Sequence, residues 1–295
     1  MPRRAGFSLI ELLVVLAIIG VLLGLLLSTV HGVLAAASRT ACANNLRQIG
    51  LAAHQHHDTL SVLPSGVRSG PVPSDLPWLS WHARLLPWLE QEALWRETLA
   101  AYHEQPYRFF NDRHRPGGAV LRVFGCPGDA RTTVSYRTQH QLVALTSYQG
   151  VQGRDRTTQD GLLYLNSSVA FAQIADGLSN TLLVGERPPS ADRRFGWWYA
   201  GVGFGSSGTG DMVLGVRELN PSAAGSSYGA CPPGPYHFSA ASLHDPCGVF
   251  RFWSLHPRGS HFLVADGSVR FVSYDADAVL PALASRAGGE PQPLP

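Results

Sequence analysis

The sequence predicts an α+β protein, with one long helix first and an antiparallel β-sheet head after it. Three features carry this expectation. Phe7 to Leu27 is an almost uninterrupted apolar run in which Glu11 is the only charge. From about Val120 onward, short β-type runs are separated by turn dipeptides, notably Asp160-Gly161 and Asp176-Gly177. Phe262-Leu-Val-Ala-Asp266-Gly267-Ser-Val-Arg-Phe271-Val272 sets Asp-Gly between two alternating strands. That is a strong short hairpin signal, and it predicts a type I′ turn with positive φ at both central residues.

The first element spans a membrane. At about 1.5 Å per residue, the apolar run crosses roughly the 30 Å hydrocarbon core of a bilayer. A secretory signal has a shorter apolar region with small residues after it, whereas here the small residue Gly6 precedes the run. We assign residues 1–6 to a leader, 7–30 to the transmembrane segment and 31–57 to the outer half of the same helix. Arg3 and Arg4 hold the N-terminus on the cytoplasmic side. An acidic residue inside a span costs up to about 2.5–3.5 kcal/mol at the centre and usually has a partner, which singles out Glu11. Gly20 and Gly24 add a small-xxx-small spacing that permits close helix approach.

The helix continues, because Leu34, Ala37, Ala41, Leu46, Ile49 and Ala53 form an apolar stripe and no proline follows until Pro64. His54, His56 and His57 near its end lack carboxylate or cysteine company and read as a solvated terminus. Residues 58–285 form the head, which starts with a loop of four prolines from Pro64 to Pro77. A second helix is expected from Pro87, carrying Trp88, Trp95, Leu99 and Tyr102 on one core face. Strands are expected over Leu121–Phe124, Leu162–Tyr164, Thr181–Val184, Phe195–Tyr199 and Val249–Trp253. Residues 201–235 are a Gly-, Ser- and Pro-rich irregular insertion, and residues 286–295 a flexible tail.

Composition narrows the function. The formal charge is +2, and removing Arg3 and Arg4 with the leader leaves a near-neutral chain without a basic patch for nucleic acid. The 31 glycines and 21 prolines favour a turn-rich head over a helical bundle. Cys42, Cys126, Cys231 and Cys247 form no Cys-x-x-Cys pair, so no metal site is assigned to them. With the head outside the cytoplasm, an even count favours disulfides. Three connectivities are possible; local spacing favours Cys231 with Cys247, which leaves Cys42 with Cys126.

Catalytic readings are weaker than structural ones. Gly203-Phe-Gly205-Ser-Ser-Gly208 matches a dinucleotide fingerprint by letter, but no helical stripe follows it. His256, Asp266 and a serine such as Ser254 or Ser260 can be drawn as a triad, yet Asp266 occupies a turn and no nucleophile-elbow spacing is present. We expect no cofactor. Calcium is the one ligand considered, because Asp160, Asp176 and Asp266 are hard oxygen donors beside glycine turns, although no spacing singles out a site.

The basic leader, Gly6, Phe7 directly after it and Glu11 together resemble the type IV prepilin leader. The resemblance implies cleavage by a prepilin peptidase between Gly6 and Phe7, methylation of Phe7, and pairing of Glu11 with a neighbouring subunit's terminal amine. His256, nine intervening residues and Asp266-Gly267 resemble the C-terminal H-x9-DG signature of the DUF1559 family of prepilin-like proteins. Other matching segments are Cys42-Ala-Asn-Asn-Leu-Arg-Gln-Ile-Gly50, Trp81 to Gln91, Phe124-Gly-Cys126-Pro127, Ser147 to Gly153, Ile174 to Thr181 and Gly185-Glu186-Arg187.

The resemblance implies a pilin-like architecture, similar to type II secretion pseudopilins, in which the long helix packs on an antiparallel sheet. It implies a single-pass protein of the bacterial cytoplasmic membrane, its head in the periplasm or cell exterior, with membrane lipid and other pilin-like subunits as partners. The expected function is non-enzymatic assembly. The rivals are a tethered glycan- or peptide-binding module using Trp197 and Trp198, and a hydrolase around His256. His256 is expected to brace the Asp266-Gly267 turn.

Overall fold

The structure is a computed structural model that describes residues 8–69, 76–106, 112–139, 141–222 and 228–289. It divides into two compact units, residues 1–40 and 41–295. Helix α1 (Leu9–Leu60) contributes to both.

In the first unit, α1 starts with a reciprocal cap. The Ser8 backbone N–H donates to Glu11 Oε2 at 2.8 Å, and the Glu11 N–H donates to Ser8 Oγ at 3.3 Å. This is a Ser-x-x-Glu capping box, which satisfies donors that the first helical turn leaves unpaired. The 18 residues Leu9–Leu26 have a mean hydropathy of 3.0, and none is buried.

In the second unit, α1 buries Cys42, Leu46, Ile49, Ala53 and His56, spaced three and four apart. The buried stripe therefore starts at Cys42; Leu34 and Ala37, expected on it, are exposed. Helices α2 (Trp81–Arg84), α3 (Glu92–Glu104) and α4 (Leu280–Ala284) are shorter. The helix expected from Pro87 is split. Pro87 lies in a 3-10 turn, Leu86–Trp88, and Glu90 then takes φ of +59°, a left-handed conformation through which an α-helix cannot run. Leu99 faces outward, while Tyr102 is buried and donates from its hydroxyl to the Pro77 carbonyl at 2.9 Å.

Strands β1 (Ser135–Arg137) and β2 (Leu142–Ala144) form a ribbon. Strands β3 (Tyr148–Val151), β4 (Leu182–Glu186), β5 (Val213–Leu214), β6 (Gly259–Val264) and β7 (Val269–Ser273) form a sheet of order β5-β3-β4-β6-β7. Every pair in it is antiparallel except β3 with β5. Both strands of the expected Phe262–Val272 hairpin formed, as β6 and β7, but of the five other runs only Thr181–Val184 became a strand close to its expected place. Leu121–Phe124 is largely a 3-10 turn, Val249–Trp253 leaves the 3-10 turn Pro246–Phe250 and continues without regular structure, Leu162–Tyr164 bends, and Phe195–Tyr199 forms only a single bridge, Leu145 with Trp197. These runs are apolar because they fill the core, and a short apolar run does not itself specify a ladder.

Helix α1 packs on one sheet face. A Cβ at Gly50 would stand 2.7 Å from Leu263 Cδ1, so glycine there permits the close approach. Successive residues of β6 alternate between faces: Leu263 joins the core shared with α1, while Phe262 and Val264 join the opposite core shared with α4. The insertion at 201–235 is not wholly irregular, since it supplies β5. Buried Asp211 organises it, accepting from the Gly203 N–H at 3.0 Å and the Gly196 N–H at 3.3 Å. Residues 286–289 are also held: Arg286 Nη1 donates to the Gln159 and Gly161 carbonyls at 2.9 Å, and Asp176 accepts from Gly288 and Gly289. The rest of the expected tail lies outside the described residues.

Candidate functional site

Four side chains from distant parts of the chain meet on the α1 face of the sheet. Cys42 comes from α1, Cys126 from the loop after the 3-10 turn Arg122–Phe124, Glu186 from the end of β4, and His256 from the segment leading into β6. Their ligand-type atoms all lie within 4.8 Å of one another, and all four residues are buried. Cys42 and Cys126 form a disulfide with a Cα separation of 5.3 Å.

Local structure explains the convergence. The Asn45 amide, one turn beyond Cys42, donates to the Gly125 carbonyl at 2.9 Å and to Tyr148 Oη at 3.2 Å. Tyr148 Oη in turn donates to the Cys42 carbonyl at 3.3 Å. Tyr148 lies opposite Glu186 in the β3–β4 ladder. The Cys126 N–H donates to Ser147 Oγ at 3.0 Å.

The Glu186 carboxylate is held unequally. Its Oε2 accepts from the His261 N–H at 2.6 Å and from Ser260 Oγ at 3.2 Å, with His261 Nδ1 also at 3.2 Å. Its Oε1 is buried and makes no hydrogen bond, although His256 Nε2 stands 3.3 Å away at ion-pair distance. Burial, the largest influence, pushes the carboxyl pKa up, but the close polar contacts and charges of His256 and His261 together bring it down to about 2. His256 Nε2 also lies 3.9 Å from Cys126 Sγ.

His256 therefore faces Glu186 and the disulfide, which corrects the expectation that it braces the hairpin. His54 has that role, its Nε2 bonded to the Ala265 carbonyl at 2.9 Å. His57 stacks on Phe171 at 3.8 Å between centroids, and His56 Nδ1 bonds the Val62 carbonyl at 2.9 Å, so the end of α1 is docked rather than solvated. The turn itself also differs. Gly267 has φ of +86°, whereas Asp266 is not left-handed, and the Gly267 N–H donates to the Val264 carbonyl. This is a three-residue loop, a type I turn closed by a left-handed glycine, and not a type I′ turn.

Other expected residues lie apart. Cys231 and Cys247 form the second disulfide, with a Cα separation of 5.6 Å, in a small core with Phe204, Tyr228, Tyr236 and Phe250. Asp160 accepts from the Arg154 N–H, Asp176 from Gly288 and Gly289, and Asp266 from Ser268; among the described residues these carboxylates form no common ligand group. Trp198 is fully buried, and Trp197 donates from its indole to the Arg193 carbonyl. Gly6 and Phe7 lie outside the described residues.

Sequence reasoning missed Glu186 and His261 as site residues, although Gly185-Glu186-Arg187 was visible as a motif. It also missed the capping role of Glu11, whose signal was the Ser8-x-x-Glu11 spacing.

A family model of the prokaryotic N-terminal methylation motif matches residues 1–27. A second, described as a protein of unknown function (DUF1559), matches residues 35–278. No curated protein and no solved structure matches the chain. The methylation motif implies processing by a prepilin peptidase, and with the apolar span it makes this a membrane-anchored, pilin-like surface protein. With the second match extending over most of its length, the chain belongs to the DUF1559 family.

Proposed function

We propose that this chain is a non-enzymatic subunit of a pilin-like or type II secretion-type assembly. It is a single-pass protein of the bacterial cytoplasmic membrane, with its leader cytoplasmic and its head in the periplasm or cell exterior. The observation that carries this reading is the span Leu9–Leu26, exposed along its length and bearing one charge, Glu11. Such a surface demands lipid or other apolar helices around it. Gly20 and Gly24 leave open space where a neighbouring helix can approach.

The rival readings find less support. A glycan platform on adjacent tryptophans loses Trp198 to the core. A hydrolase centred on His256 finds both expected serines engaged: Ser254 Oγ donates to the Gly259 carbonyl and Ser260 Oγ to Glu186. Crosslinking through the span in intact membranes, followed by identification of the adducts, tests the proposal. We expect adducts with further copies of this chain or with other pilin-like subunits. A chain that remains monomeric across crosslinker positions from Leu9 to Leu26 would overturn it.

A further inference from the structure

We propose that Cys42, Cys126, Glu186 and His256 form a redox-gated metal site that, when the Cys42–Cys126 disulfide is reduced, binds a divalent transition ion of the zinc type. Zinc–sulfur bonds of about 2.3 Å and zinc–nitrogen or zinc–oxygen bonds of about 2.0–2.1 Å place tetrahedral N and O ligands about 3.3 Å apart, and S and N about 3.6 Å apart. The observed separations are 3.3 Å for His256 Nε2 to Glu186 Oε1 and 3.9 Å for His256 Nε2 to Cys126 Sγ. Two thiolates, an imidazole and a carboxylate are a donor set suited to a borderline-soft, four-coordinate ion.

The asymmetry of Glu186 is the second, independent observation. A disulfide has no use for a buried carboxylate beside it, and burying one whose Oε1 has no hydrogen bond, only His256 Nε2 at ion-pair distance, is costly. Ser260 and His261 lock Oε2 and leave Oε1 3.3 Å from His256 Nε2, with a carboxylate oxygen within 4.8 Å of both sulfurs. Outer hydrogen bonds of this kind orient a monodentate ligand. Of the four residues, Cys126 lines a cavity of about 480 Å³ with Asn45, Val120, Arg122, Thr132 and Thr133. The four protein ligands close the coordination sphere, so the ion would tie α1 to the sheet within the head.

The chemistry balances. A dithiol reductant transfers two electrons and two protons to the Cys42–Cys126 bond and itself becomes a disulfide. The two thiols then release two protons as the divalent ion binds their thiolates. In the reverse direction, by thiol–disulfide exchange, an oxidised dithiol takes two electrons from the two thiolates and becomes the dithiol by taking up two protons, and the re-formed Cys42–Cys126 bond expels the ion.

Co2+ added to the full-length chain in detergent provides the test, before and after reduction by a dithiol. A Cys231→Ser/Cys247→Ser variant isolates the two sulfurs of interest. We expect the reduced form of this variant to take up one Co2+ per chain, with tetrahedral visible bands and thiolate-to-metal charge transfer, and the oxidised form to show neither. His256→Ala and Glu186→Gln should each weaken binding by more than about tenfold. In a measurement that needs no ligand variant, Zn2+ should slow alkylation of Cys42 and Cys126 in the reduced wild-type chain but leave Cys231 and Cys247 unprotected. Two titratable thiols without a thiolate–cobalt band, equal alkylation rates with and without Zn2+, or an unchanged band in Cys42→Ser/Cys126→Ser would each overturn the site.

Discussion

His54 Nε2 lies 2.9 Å from the carbonyl oxygen of Ala265, so the end of the long helix is bonded directly to the turn of the final hairpin. The same imidazole is the nearest neighbour of a Cβ placed on Gly267, at 3.6 Å. Two different physical effects thus meet at this turn. His54→Ala removes a hydrogen bond worth about 0.5–1.5 kcal/mol. Gly267→Val places a β-branched residue at φ of +86°, at a cost of about 1–3 kcal/mol. In thermal unfolding of the detergent-solubilised chain, both variants should melt below wild type, with Gly267→Val the lower. A Gly267→Val melting point equal to wild type would refute the strained-turn assignment.

Processing should remove residues 1–6 and leave methylated Phe7 as the N-terminus, in keeping with the methylation motif over residues 1–27. Intact-mass measurement on protein from a strain with active prepilin peptidase reads this directly. Mature protein that retains Gly6, or processing indifferent to replacement of Gly6, would reject the cleavage site.

Glu11 has two candidate duties that Gln and Ala separate. Glutamine preserves the capping box with Ser8 but removes the charge, whereas alanine removes both. If Glu11 pairs with a terminal amine of another subunit, Glu11→Gln and Glu11→Ala should reduce crosslinked adducts alike while membrane insertion continues. Wild-type adduct yield in Glu11→Gln with loss in Glu11→Ala would assign the residue to capping alone.

The Cys231–Cys247 bond closes a loop of 16-residue separation whose interior includes four prolines and one glycine. Loop-closure entropy assigns about 3 kcal/mol to a cross-link of about this length. Peptide mapping without reduction should recover Cys231 with Cys247 and Cys42 with Cys126, and Cys231→Ser/Cys247→Ser should lower the unfolding midpoint. Recovery of four alkylated thiols from oxidised protein would contradict both bonds.

Acid should weaken the head partly through His82, whose Nε2 bonds the Tyr148 carbonyl at 3.0 Å. Burial lowers its pKa from 6.5 to about 3. Between those values the unfolded chain takes up a proton that the folded chain refuses, so this contribution falls as pH drops through the window, by at most about 1.4 kcal/mol per unit. His56 and His114 are lowered by burial too and act in the same direction. Asp211 opposes them: burial raises its pKa to about 7, so its contribution is present below about 3.8 and is lost as pH rises towards 7. The discriminating quantity is therefore a difference. Stability of wild type relative to His82→Gln should decline from pH 6.5 to pH 4, and parallel pH profiles would exclude a buried neutral His82.

Local features are legible wherever one stretch of chain contains both the cause and the effect. An apolar run with one charge makes a span, a proline-free stripe makes α1 continuous, and Asp266-Gly267 forces a turn. Even there, the turn type escaped, because only Gly267 is left-handed and the extra loop residue depends on strand register. Strand placement failed at Leu162 and Val249 for another reason: burial alone explains an apolar run, and the ladder partners are chosen by neighbours far away in sequence.

The sequence by itself determined the membrane-spanning helix, the leader motif, the order of helix and sheet, and the family, because each rests on local composition or on a linear motif. Cys42, Cys126, Glu186 and His256 were likewise visible, each inside its own segment. Only the tertiary structure decided that these four share one buried point, that His261 and Ser260 aim the carboxylate, and that His54 rather than His256 holds the hairpin. The reason is physical. Linear spacing records neighbours along the chain, whereas these contacts depend on which face of β4 and β6 meets α1, a choice made when the core packs.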